Sequence, residues 1–239
     1  MEEIWNSFQN SPYAFYISDG YINLNCLQIR PGSSYNKVVD GREIMPDVGI
    51  NHIGFQVRSV REVAKKLAEI DQGTKLIASP QDGRYEEWRI VDPDGNIFEI
   101  AEGGWEAGQE RRIPAMGYVG IRTKNFDRMA DFYKSLLSLK EVRRFQHSSA
   151  KAVFLSDGVM SLGMIQSSTE GKPGLERIGF QVKNLQEIEE RLKNSPPFLY
   201  PGESPVEIRR SPSEGPYEPF FLKDPDGNIL ELSEEGWEA

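Results

Sequence analysis

Glu99 and Glu231 stand at the same place in two copies of one pattern. The copies are Asp92-Pro93-Asp94-Gly95-Asn96-Ile97-Phe98-Glu99-Ile100 and Asp224-Pro225-Asp226-Gly227-Asn228-Ile229-Leu230-Glu231-Leu232. A carboxylate repeated at one position is where chemistry can sit: it can shuttle a proton or pair with a cation. It can equally be a plain residue of a repeated hairpin. His52 lies in Asn51-His52-Ile53-Gly54-Phe55-Gln56-Val57. A histidine among apolar neighbours is, by default, a hydrogen-bonded core residue. Tyr13, Phe15 and Tyr16 precede Ser18 on one expected strand. Alternation puts Tyr13 and Phe15 on one face and Tyr16 on the other. Aromatic walls suit an organic ligand, and core packing is the plainer use of the same residues.

These residues are positioned by a repeated unit. Ser18-Asp19-Gly20 pairs with Ser156-Asp157-Gly158, and Ile53-Gly54-Phe55-Gln56-Val57 with Ile178-Gly179-Phe180-Gln181-Val182. The order is kept while the spacing drifts, as loop insertions between paired strands produce. Each unit opens with a short apolar strand, such as Ile53 to Val57 or Val119 to Arg122. A helix follows. Val63, Leu67 and Ile70 mark one over Val60 to Ile70, and Leu185, Ile188 and Leu192 another. Met129, Phe132, Tyr133, Leu136 and Leu137 form the apolar face of a third, Phe126 to Leu139. Three short strands complete the unit. In the module at residues 50–102 they are expected at Leu76 to Ala78, Tyr85 to Val91 and Asn96 to Ala101. Asp-Pro-Asp-Gly is a tight turn between the last two, because Pro presets φ and Gly takes the positive-φ place.

The fold class is therefore α+β, built of tandem βαβββ modules. The expected first domain is 1–108 and the second 115–239, the latter holding modules 116–167 and 175–235. A polar connector from Gly108 to Pro114 separates them. Ahead of module 50–102 only the three-stranded part of a module is legible, Ala14 to Ile29. Its opening strand and helix are absent, which leaves a fragment, a lost strand or a strand supplied by a partner.

Composition narrows the function class. The chain has 239 residues, 38% hydrophobic and 27% charged, with a net charge of −9. That charge argues against nucleic acid or an anionic membrane as partner. No apolar run approaches the ~20 residues of a membrane span. The single cysteine, Cys26, excludes an internal disulfide framework and fits a reducing cytoplasm. On its expected strand it reads as a small buried hydrophobe. The recurring Gly104-Trp105-Glu106-Ala107 and Gly236-Trp237-Glu238-Ala239 are expected to pack their tryptophans against the sheet.

With Asn51-His52-Ile53-Gly54-Phe55-Gln56-Val57, Phe132-Tyr133 and the two Asp-Pro-Asp-Gly-Asn hairpins in view, the chain resembles the vicinal oxygen chelate superfamily. That superfamily includes glyoxalase I, extradiol dioxygenases, methylmalonyl-CoA epimerase and fosfomycin- and bleomycin-resistance proteins. The resemblance implies two modules per eight-stranded, cup-shaped sheet, with a divalent metal held by first and last strands. It puts His52 and Glu99 at ligand positions of the first domain, helped by Asn23 or Asn25 on the strand Tyr21 to Leu27. Imidazole plus carboxylate suits Fe(II), Mn, Ni, Co or Zn. In the second domain Tyr118 and Arg177 stand at the first-strand positions, and only Glu231 remains a ligand type. A guanidinium cannot ligate a metal, so Arg177 and Glu231 are expected to form an ion pair in a degenerate site. His147 lies off the ligand positions.

The resemblance implies a metal-dependent enzyme whose substrate chelates the ion through neighbouring oxygens. Glu99 could then move a proton in a lyase or isomerase; an extradiol dioxygenase would want two histidines and a carboxylate, of which His52 and Glu99 supply two and the absent strand would carry the third. Tyr13, Phe15, Asn23 and Asn25 are the candidate substrate contacts. The alternative is a binding protein that sequesters a drug or metabolite without metal, or an inactive truncated form. An incomplete sheet also favours a homodimer.

Overall fold

Val63 and Leu67 are buried while Arg61, Glu62 and Lys65 face solvent, and this spacing makes Val60–Ile70 a helix, α1. In the computed structural model the described residues are 2–6, 13–28, 38–39, 42–43, 49–70, 76–78, 87–103, 114–146, 150–167, 171–194, 207–210, 220–224, 226–235 and 237. His147, Trp105 and all of the connector but Pro114 lie outside them. The strands ahead of α1 are β1 (Glu2–Asn6), β2 (Tyr13–Ser18), β3 (Asn23–Gln28), β4 (Val38–Val39), β5 (Arg42–Glu43) and β6 (Ile53–Gln56). After it come β7 (Ile77–Ala78), β8 (Trp88–Val91), β9 (Ile97–Ala101) and β10 (Ala115–Arg122). Helix α2 (Phe126–Leu137) is followed by β11 (Lys140–Gln146), β12 (Ala150–Ser156), β13 (Ser161–Ser167) and β14 (Gly174–Gln181). Helix α3 (Leu185–Asn194) leads to β15 (Glu207–Arg210), β16 (Phe220–Lys223) and β17 (Ile229–Ser233). No helix among the described residues is long and apolar enough to cross a membrane.

One strand order recurs. Module 50–102 forms the sheet β6-β9-β8-β7, and the second half forms β11-β12-β13-β10-β14-β17-β16-β15. Each opening strand runs parallel to the last strand of its own module, because the helix carries the chain back across the sheet. The residues before module 50–102 form β1-β2-β3, the order of the last three strands of the other modules. The sequence places all three of these strands within Ala14 to Ile29. In the structure one of them is β1 at Glu2–Asn6, paired with β2 and bent by a bulge between Glu3 and Trp5.

Most element ends fall within a few residues of expectation. Helix α2 stops at Leu137 because Ser138 turns left-handed (φ 60). It starts where the Asn125 side chain accepts from the Arg128 amide at 3.1 Å. The repeated motifs are turns. Asp92 Oδ1 accepts from the Asp94 and Asn96 amides, and Oδ2 from Asn96 Nδ2 at 2.7 Å. Asp224 and Asn228 repeat the last two bonds, at 2.7 and 2.8 Å. Gly95 and Gly227 sit at φ 93 and 90, where only glycine is unstrained. In the other repeated turn, the Gly20 amide donates to Ser18 Oγ and the Gly158 amide to Ser156 Oγ, each at 3.0 Å.

By packing the chain divides into two compact units. One is Asn51–Glu106, Tyr118–Glu176 and Glu238–Ala239; the other is Met1–Ile50, Ala107–Gly117 and Arg177–Trp237. Packing thus groups module 50–102 with module 116–167, whereas the division expected at 1–108 and 115–239 follows chain order. The physical reason lies on α2. Phe132 and Tyr133 reach across to Phe98, with ring centroids 6.3 and 5.4 Å away, and Phe55 completes the cluster. Tyr133 also donates to Asp92 Oδ2 at 3.0 Å, and Thr123 Oγ1 to Asp94 Oδ2 at 2.5 Å. In the other unit Val182, Phe220 and Leu232 form a core with Phe180, Leu185, Ile188 and Leu222. Trp237 is buried, as expected of it, and lies so close over Gly117 that no larger residue fits there.

Candidate metal centre

The turn at Asp92 to Asn96 sets the register of β8 on β9, which brings Arg89 directly opposite Glu99. Parallel pairing on the other side brings Gly54 beside Glu99, with His52 two positions earlier on the same face. Phe98 and Ile100 point the other way, into the core. Glu99 is therefore flanked by two basic side chains. Its Oε1 accepts from Arg89 Nε at 2.7 Å, and its Oε2 lies 3.3 Å from His52 Nε2. Burial would push its carboxyl up. With His52 protonated, its hydrogen bond and charge, together with those of Arg89, outweigh that and hold it at about 2.

His52 Nδ1 meets Asn51 Oδ1 at 2.8 Å. An amide oxygen only accepts, so Nδ1 carries the proton in this arrangement. Without a second proton, Nε2 gives up that hydrogen bond and turns a lone pair toward Glu99 Oε2. Two lone-pair donors facing one another call for a cation or a proton between them. Cis ligands of one tetrahedral ion, each about 2.1 Å from it, stand about 3.4 Å apart. The donor pair therefore fits a divalent metal in both type and spacing. The surrounding contacts also fit, with the other imidazole nitrogen on a carbonyl and the other carboxylate oxygen on a donor. The set is short, however. Among the described residues no three His, Cys, Asp or Glu side chains converge.

The same positions can be followed through the other modules. In 175–235, Glu231 stands beside Gly179 and opposite Phe221. Arg177 takes the place of His52 and forms the expected ion pair, Nη1 to Oε2 at 3.5 Å, while its guanidinium lies 5.5 Å from the Phe221 ring centroid. In 116–167 the last-strand position is Gly163, opposite Phe154. Tyr118, buried, meets the Phe154 ring edge-on at 5.5 Å. A Cβ on Gly163 would come within 2.9 Å of that ring. In the first three strands Asn25 is the matching residue, opposite Tyr16, and its Nδ2 donates to the Tyr16 hydroxyl at 3.1 Å.

Of the candidate residues, His52 and Glu99 come together, and so do Arg177 and Glu231. Asn25 holds the register position of a last-strand ligand, and Asn23 lies beside the Ser18 turn. Tyr13 and Phe15 lie on β2 with Tyr16, and Tyr16 holds the site-equivalent register, opposite Asn25. Arg89 and Asn51 are the residues whose roles sequence reasoning missed, whereas Tyr16 was already set apart there from Tyr13 and Phe15. Arg89 was within reach of it: counting outward from the tight turn pairs Arg89 with Glu99. Cys26 is partly buried on β3, and burial pushes its thiol up.

Comparison with known proteins agrees with this architecture. Residues 115–232 match the model of the Glyoxalase/Bleomycin resistance protein/Dioxygenase superfamily. This second part of the chain is similar to that superfamily. A curated relative, glyoxalase I of Saccharomyces cerevisiae, is 32% identical over 130 residues, 52% of this chain and 39% of that enzyme. The match thus spans well under two thirds of the relative's length. A solved halotolerant catechol dioxygenase superposes with a TM-score of 0.66 at 13% identity, covering 100% of this chain and 79% of the other. The Mn(II)-bound glyoxalase from Novosphingobium aromaticivorans does so with a TM-score of 0.59 at 14% identity, covering 95% and 72%. At such identities these two structures speak for the fold.

Proposed function

We propose that the chain is a metal-dependent enzyme of the glyoxalase/dioxygenase type, with its metal at His52 and Glu99. The observation that carries this reading is the facing pair His52 Nε2 and Glu99 Oε2, 3.3 Å apart. The Mn(II) named for the solved glyoxalase supports it by analogy of fold. When bound, a divalent ion would act as a Lewis acid on two neighbouring oxygens of a small organic substrate. The chain's own residues do the rest. Asn51 orients the imidazole and Arg89 holds the carboxylate. Gly54 and Gln56 leave the strand face open to solvent beside the pair, giving a substrate room to approach. With one oxygen held by Arg89 and the other facing His52, Glu99 suits holding a cation better than shuttling protons.

The Arg177–Glu231 pair favours a second role for module 175–235. Its carboxylate is already neutralised, so it takes part in pairing or ligand binding without metal. A purely sequestering protein would extend that metal-free state to the whole chain. Metal content by mass spectrometry decides, on the purified chain beside His52→Ala and Glu99→Ala. A bound first-row divalent ion is expected in the wild type and not in either variant. No metal after reconstitution overturns the enzyme reading and leaves small-molecule binding. Light scattering on the same preparation tests the proposed homodimer.

A further inference from the structure

We infer that Arg89 is the positioning residue of this centre: it pins Glu99 Oε1 and thereby presents Oε2 alone to whatever His52 holds. This inference rests on the metal reading above and adds a residue to it. Arg89 Nε donates to Oε1 at 2.7 Å, from the strand directly opposite, and both side chains are largely buried. The bond comes from a stiff neighbour, because β8 and β9 are joined by a turn whose Asp92 carboxylate is saturated with donors. Glu99 therefore cannot turn both oxygens toward His52 without breaking a charge-assisted bond.

The other modules isolate this role. The residue opposite the last-strand position is Phe221, Phe154 or Tyr16 elsewhere, and each touches its module's site residues. Among the described residues, only in module 50–102 is that residue a cation, and only there does an imidazole stand just ahead of the opening strand. In module 175–235 the guanidinium arises from the opening strand itself, at Arg177, and takes the ligand's own place. An arginine across the hairpin thus leaves the ligand position free, whereas an arginine on the opening strand fills it.

The test compares wild type, Arg89→Met and Arg89→Lys in titrations with Co(II) and Zn(II) alone. It reads the dissociation constant by chelator competition, the Co(II) ligand-field spectrum, and the unfolding temperature without metal. Arg89→Met is expected to weaken binding about 10- to 100-fold and to change the Co(II) spectrum, as Glu99 rotates or binds through both oxygens. Arg89→Lys, which keeps the charge but not the fork, is expected to fall between. A merely structural arginine would lower the unfolding temperature and leave affinity and spectrum unmoved. Unchanged or tighter binding in Arg89→Met overturns the inference alone, showing that the guanidinium competes with the cation. If Arg89→Met does not fold, Arg89→Lys decides, and wild-type affinity and spectrum there overturn it. Absence of binding by the wild type removes the metal reading and this inference together.

Discussion

Glu99 is the residue on which the site turns, and its environment sets how it behaves in acid. Its folded carboxyl lies at about 2 against an ordinary 4.5. A lowered value means that the stability it adds is fully present above about 4.5 and is lost as pH falls toward 2. Glu99→Gln should cost about 2 kcal/mol at neutral pH, less than a fully buried pair, because Arg89 and His52 keep some solvent. It should also flatten that acid slope. Denaturant unfolding of both proteins across the acid range checks this, and parallel slopes would refute it.

Among the elements, the hairpin of β8 and β9 matters beyond its turn because it docks on α2 through Tyr133 and Asp92. The buried Tyr133 phenol is raised well above its ordinary 10.0, by desolvation first and by the Asp92 charge second. A raised phenol contributes stability below pH 10 that disappears as pH climbs beyond it. Tyr133→Phe should lose about 1 kcal/mol with the hydrogen bond and should remove that alkaline loss. Circular dichroism in base tests it; a variant that unfolds in base just as the wild type does would count against the contact.

For the whole molecule, packing and chain order suggest different dividing lines. Phe98 finds Phe132 and Tyr133 only if module 116–167 is present. A fragment of residues 51–176 should therefore unfold cooperatively, and a fragment of residues 1–108 should not. Thermal unfolding of the two fragments decides between this and the division at residues 108 and 115. A cooperative 1–108 would restore the chain-order division.

Much of this protein could be read from local signals. Periodic apolar residues place the three helices seen among the described residues, because burying one stripe needs only the 3.6-residue repeat. Asp-Pro-Asp-Gly places the hairpins, because glycine must take the positive φ. The repeat itself marks the modules and puts a carboxylate at the end of two of them. What lay beyond such signals is non-local. Strand β1 needed its partner β2 to be recognised, since Glu2–Asn6 has no strong alternation of its own. The grouping of modules depends on which helix face meets which sheet, and sequence spacing does not encode that. The character of the site likewise depends on Arg89, a residue of common type whose role exists only because β8 sets it across from Glu99.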